Sequence, residues 1–145
     1  MKKILSAILC LCLLSFAGCD ELKRLKASAA RVPIELQGAI ELVETLAPEE
    51  TGGNRQKVDE LLDTLKRVKM AAEKANEKIQ PLQKFDAASK AGVAEIAWPV
   101  IEGIEELSAE GENFNIKNPE RQRQFKATLV IVKAAGQLLK QWLTP

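Results

Sequence analysis

The sequence predicts an all-α fold, a small antiparallel bundle of about four helices. Apolar residues recur at alternating spacings of three and four along four separate segments, the signature of a helix with one buried face. Pro, Gly and capping residues fall between those segments rather than at random. The net charge also changes sign from each segment to the next. No strand-like alternation or hairpin turn pair interrupts the pattern.

The first segment carries Leu22, Leu25, Ala29, Val32, Leu36, Ala39, Val43 and Leu46, and it stops at Ala47-Pro48 and Gly52-Gly53. Pro33 lies inside it. A proline there is expected to kink or restart the helix, so residues 19–32 read as a helical tether and 33–145 as the bundle domain. Asn54 is the expected N-cap of the second segment, whose seam is Val58, Leu61, Leu65, Val68, Ala72, Ala75, Ile79 and Leu82. Pro81 separates it from the third, with Asp86 as an alternative start signal. That third seam holds Val93, Ala97, Val100, Ile104 and Leu107, is expected to bend at Pro99, and is expected to close at Gly111. Asn118-Pro119-Glu120 is the clearest helix start: Asn caps, Pro fills the first position, and Glu faces the positive helix end. Phe125, Leu129, Val132, Gly136, Leu139 and Leu143 follow as the fourth seam.

Charge gives an independent reading of the topology. Residues 20–50 hold seven acids and four bases, residues 55–84 five and eight, residues 91–116 six acids and no base, and residues 117–140 one acid and six bases. In an up-down-up-down bundle every helix then lies beside sequence neighbours of opposite sign. Such rim pairs contribute only a few tenths of a kcal/mol each, so they select neighbours while the apolar seams supply stability.

The N-terminus carries an address. Lys2-Lys3 precedes the apolar run Ile4–Ala17, which has the length of an export signal and falls short of the roughly 20 residues needed to span a bilayer. Its last residues, Phe16-Ala17-Gly18-Cys19, resemble the lipobox of bacterial lipoproteins, with Phe16 standing where that family usually has Leu. The resemblance covers residues 1–20 and implies cleavage between Gly18 and Cys19 and a diacylglycerol on the Cys19 thiol. The alternative is an ordinary secretory signal that leaves Cys19 free. Cys10 and Cys12 leave with the signal, so Cys19 is the sole cysteine of a mature chain in an oxidising compartment, where lipidation would occupy its thiol. Acyl chains contribute about 0.8 kcal/mol per buried methylene, so two or three hold a protein on a membrane stably. In enterobacterial lipoproteins an Asp after the lipidated cysteine resembles the signal for retention in the inner membrane. Asp20 therefore implies the periplasmic face of that membrane, with the outer membrane as the alternative.

The expected mature chain has 127 residues, one domain's worth, and a net charge of −1, which gives no reason to expect a nucleic-acid partner. Histidine and tyrosine are absent. A Ser-His-Asp triad, a His general base and a His-containing metal site are excluded with them, and no catalytic residue, cofactor or metal is expected. Glu102, Glu105, Glu106 and Glu110 share one helical face with Glu112 beyond, which reads first as a solvated face opposite the basic fourth helix. Gly52-Gly53 lacks the Lys-Ser/Thr of a phosphate loop. Lys23, Arg24 and Lys26 follow the anchor, where they suit anionic head groups or a plain helix surface equally.

The fourth segment is the most informative one after the signal. Lys126, Lys133 and Lys140 recur every seven residues and form a narrow polar stripe with Gln137 and Gln141, while Val130, Ile131, Leu138 and Trp142 add to an already apolar seam. Two readings follow: a central helix covered by the other three, or a helix that lines a groove for a partner's amphipathic helix or extended peptide. Trp98, Phe125 and Trp142 are the aromatic candidates for such a surface, against the simpler reading of Trp98 as core. Taken together, the sequence leads to a non-catalytic, lipid-anchored envelope protein that binds or positions another protein. In size and helical character it resembles the secretin pilotins and the exclusion lipoproteins of plasmids and phages. A self-associating spacer is the second reading, and an enzyme built on a carboxylate pair the third.

Overall fold

The computed structural model describes the backbone of residues 2–143 and the side chains of residues 20–141 and 143. It contains α1 (Lys2–Leu46), a 3₁₀ turn (Ala47–Glu49), α2 (Gly53–Ile79), α3 (Ala87–Glu112) and α4 (Pro119–Leu143). Each helix packs on its sequence neighbours and α4 returns to α1, with no diagonal α1–α3 or α2–α4 contact among the described residues. This is a square up-down-up-down bundle, and its connections are as short as antiparallel neighbours require. The lower end joins α2 to α3 beside α1 near Lys26. The upper end holds the 3₁₀ turn and the α3–α4 connection.

The seams read from the sequence are the core. Leu25, Leu36, Leu65, Ile79, Ile104, Leu107, Phe125 and Leu139 are among the fully buried side chains, and each contributes about 1.5–3 kcal/mol relative to an exposed position. Leu82 is the exception in kind. It lies past the end of α2 and packs on the core from the connection, partly buried.

Two caps stand where expected. The Asp86 carboxylate accepts from the Ser89 N–H at 2.9 Å, and Asn118 Oδ1 accepts from the Glu120 and Arg121 N–H groups at 3.0 and 3.3 Å. The Lys84 ammonium and the Ser89 N–H and hydroxyl hold the Asp86 carboxyl far below the usual carboxylate range, and Asp86 in turn raises the Lys84 ammonium.

Asn54 is not a cap. Gly52 adopts φ 62°, a conformation that side chains rarely take, so the chain reverses there and α2 begins at Gly53, one residue before the expected cap could act. Asn54 Nδ2 instead donates to Glu50 Oε2 at 2.8 Å and to the Asn115 carbonyl at 3.4 Å. Glu50 Oε1 accepts from the Lys117 N–H at 3.3 Å, so this buried carboxylate, 4% exposed, ties the α1–α2 turn to the α3–α4 connection. The Asn54 bond is the main cause that holds its carboxyl below the usual Glu value of 4.5; burial opposes it, and Lys117 adds to the lowering. A carboxyl with a depressed folded pKa stabilises above its unfolded pKa and loses that contribution as pH falls. Glu50→Gln is therefore expected to cost about 1 kcal/mol near neutrality, the difference between a charged and a neutral acceptor. That cost closes progressively below pH 4.5. Urea unfolding of both proteins across pH 3–7 reads it, and a gap that does not change with pH contradicts it.

Neither internal proline restarts its helix. α1 runs through Pro33 and α3 through Pro99. An interior proline costs about 3 kcal/mol. At Pro33 the seam continues on both sides through Val32 and Leu36, which are 1% and 0% exposed, and their burial offsets that cost. The expected division at Pro33 is thus corrected: residues 20–32 belong to the bundle. Leu22, Leu25, Ala29 and Val32 are in the core, and Gln80 Nε2 donates to the Lys26 carbonyl at 3.0 Å.

Gly111 does not end α3, which continues to Glu112. Its lack of a side chain serves packing, since a Cβ there would overlap Leu129 Cδ1. Gly136 answers from α4, where a Cβ would lie 2.9 Å from Ile104 Cγ2. These two contacts draw α3 and α4 close together. Ion pairs then decorate the seams between helices of opposite charge: Glu44–Lys66 at 2.9 Å, Glu105–Lys140 at 2.7 Å, Glu112–Lys133 at 3.5 Å and Glu49–Arg121 at 3.3 Å.

Candidate interaction surface

The surface question turns on which sides of α4 the bundle covers. Among the described residues α4 contacts only α1 and α3, so it is a peripheral helix, and the expectation of a central helix covered by three others does not hold. Its seam residues Phe125, Leu129, Val132, Ala135 and Leu139 point inward and are buried. The remaining apolar residues are left outside. Val130 is 66% exposed, Ile131 40% and Leu138 43%, with Ala127 and Ala134 exposed between them.

These residues form a ridge between two shallow grooves. On the α1 side, Ala27, Ser28 and Arg31 face Val130, Ile131, Ala134, Ala135 and Leu138 around a groove of about 320 Å³. On the α3 side, Ser108, Gly111 and Glu112 face Lys126, Leu129, Val130 and Lys133 around about 200 Å³. Gly111 thus has a second consequence: the same missing side chain that admits Leu129 opens the α3-side groove. Farther along α1, Ile34 is 69% exposed, an apolar side chain off the buried seam. Nothing in the seam spacing singled it out, although its place outside the 32-36-39 run is the signal that marks it.

The three aromatic candidates part company. Trp98 is on the surface of α3, 42% exposed, and Lys140 Nζ sits 5.9 Å from its ring centroid, so the reading of Trp98 as core is corrected. Phe125 is not a surface residue at all. It is fully buried and packs edge-on to Phe114, with centroids 5.7 Å apart and rings at 62°, because its position falls on the inward face with Leu129 and Val132. The Trp142 and Cys19 side chains lie outside the described residues, as does the exposure of Gly18. Asp20, the expected sorting residue, is exposed and is the first residue of α1 whose side chain is described.

The acidic side of α3 is a solvated face. Glu105 and Glu112 pair with lysines of α4, and Glu102 and Glu106 are exposed. Desolvation, and then the neighbouring Glu106 carboxylate, raise the Glu110 carboxyl above its ordinary value. Among the described residues no group of three or more His, Cys, Asp or Glu is placed to hold a metal ion, and no helix is long and apolar enough to cross a membrane. Lys23 and Arg24 are exposed beside the expected anchor, at the same end of the bundle as the α2–α3 connection with Lys84.

Compared with protein-family models, with curated proteins and with solved structures, the chain matches none of them.

Proposed function

We propose that this chain is an envelope lipoprotein: exported, cleaved before Cys19, held on a membrane through a diacylglycerol on that cysteine, and acting without catalysis to bind or position another envelope protein. The address rests on Lys2-Lys3, the apolar run Ile4–Ala17 and the lipobox-like Phe16-Ala17-Gly18-Cys19. The binding role rests on one observation, the apolar outer face of α4, which the bundle leaves uncovered. Contiguous exposed apolar residues with polar residues around them are a feature of partner surfaces. The self-associating spacer has less support, because the long seams it would use, Leu22 to Leu46 and Val58 to Ile79, are already buried within one chain.

Asp20 gives the proposal a direct test of address. A carboxylate beside the lipid head group alters how sorting machinery engages the anchor, so the wild type is expected on the periplasmic face of the inner membrane. Asp20→Ser is expected to move to the outer membrane. Density-gradient fractionation of cells producing each full chain reads both. A wild type recovered as a soluble periplasmic protein would overturn the lipoprotein reading, and one recovered in the outer membrane would remove the sorting role from Asp20 while keeping the anchor.

A further inference from the structure

The outer face of α4 has dimensions and charge that specify an occupant. Ala127 to Leu138 spans eleven residue steps, about 17 Å or three turns, and the ridge is one helix wide, about 10 Å. A stable interface between two folded chains needs roughly 800 Å² from each partner, far more than this face provides. A single helix laid beside α4 needs no more than it has. The floor of the α1-side groove favours that occupant, since Ala27, Ser28, Ala134 and Ala135 are small and let a second helix approach closely.

The rims are basic. Among the described residues the only charged side chain lining the α1-side groove is Arg31, which reaches Glu35 within its own helix at 2.9 Å. The α3-side groove is lined by Lys126 and Lys133 against the single carboxylate of Glu112, itself 3.5 Å from Lys133. Two copies laid antiparallel on this face would bring their Lys126 and Lys133 rims together. From the apolar ridge, its one-helix footprint and its basic α3-side border, we infer that this face takes an amphipathic helix of a different protein. That helix carries apolar residues at i, i+3 or i+4, and i+7, with acidic residues on the flank that meets Lys126 and Lys133. The inference rests on the partner-binding reading above and adds the partner's chemistry to it.

The test uses the full chain in its own cells, with a photo-reactive phenylalanine analogue at position 130, 138 or 98, and at position 70 as a control. Val130, Leu138 and the control Met70, on α2, are all exposed, so the replacements leave the core intact. Cross-linked peptides are sequenced by mass spectrometry. Adducts from 130 and 138 are expected at about ten times the yield from 70, and to map to one acid-flanked amphipathic helix of another protein. Lys126→Glu combined with Lys133→Glu is expected to lower that yield about tenfold through charge repulsion, with helical circular dichroism unchanged. Adducts to lipid, to a second copy of this chain or to a segment without acidic flanks would overturn the inference, as would yields no higher than at position 70. Adducts to another protein from position 98 but not from 130 or 138 would also overturn it, while leaving the partner-binding reading standing.

Discussion

Phe125→Ala is expected to destabilise the bundle by about 3–5 kcal/mol, the range for emptying a buried aromatic site. The ring is fully buried, lies against Phe114 and sits one turn above the contact of Leu129 with Gly111, so neighbours on both sides are held by other packing and cannot collapse into the space. The loss is expected to reach the upper end of the molecule, because Phe114 belongs to the α3–α4 connection. Gln122 holds that connection by donating to the Phe114 carbonyl at 2.7 Å and accepting from the Ile116 N–H at 2.6 Å. Leu138→Ser, a truncation on the same helix that also adds a hydroxyl, is expected to cost no more than about 0.5 kcal/mol, since its side chain is exposed. Urea unfolding followed by the helical circular dichroism signal compares the two. Equal costs would mean that α4 is rotated about its axis relative to the arrangement described above.

That rotation is what the sequence left open. The seams of α1 and α2 alternate cleanly with polar residues, so the buried face of each helix was legible position by position, and Leu25, Leu36, Leu65 and Ile79 are all core. In α4 the apolar residues extend well beyond one stripe. Periodicity could place Phe125, Leu129, Val132 and Leu139 together, but it could not tell whether Val130, Ile131 and Leu138 were covered by a neighbour. Only the absence of diagonal packing in the square bundle decides that they are outside.

The other departures have local causes. Asn54 carries a capping side chain, but Gly52 alone can take the positive φ that starts α2, and backbone freedom outranked hydrogen-bonding chemistry there. Pro33 looked like a boundary because its local cost is easy to read, whereas the seam that offsets that cost depends on residues of α2 and α4. Gly111 read as a stop and proved to be a close contact with a helix 18 residues farther on, Leu129 being the residue it meets. Asp86 and Asn118 were legible because a cap bonds to residues two or three positions away. Of the candidate surface, the sequence indicated the helix, weighed Trp98 first as core, offered Phe125 both as seam and as surface, and passed over Ile34, which its place off the 32-36-39 run marks.

The largest functional effect is expected at Cys19. In the proposed lipoprotein, Cys19→Ser removes the thiol that would accept diacylglycerol, and a hydroxyl would not replace it, so labelled palmitate is expected to disappear from the protein and the cleaved, membrane-held form with it. No described part of the bundle would replace the anchor. None of its helices is long and apolar enough to cross a bilayer, and the basic residues Lys23 and Arg24 beside the anchor contribute only about 1 kcal/mol each toward an anionic surface. Membrane attachment in this reading therefore stands on one side chain. The most direct measurement is the mass of the N-terminal peptide of the wild-type protein isolated from membranes. A peptide that begins at Cys19 and carries two or three acyl chains is the expected result. A peptide that begins at Gly18, or at Cys19 with an unmodified thiol, would contradict it.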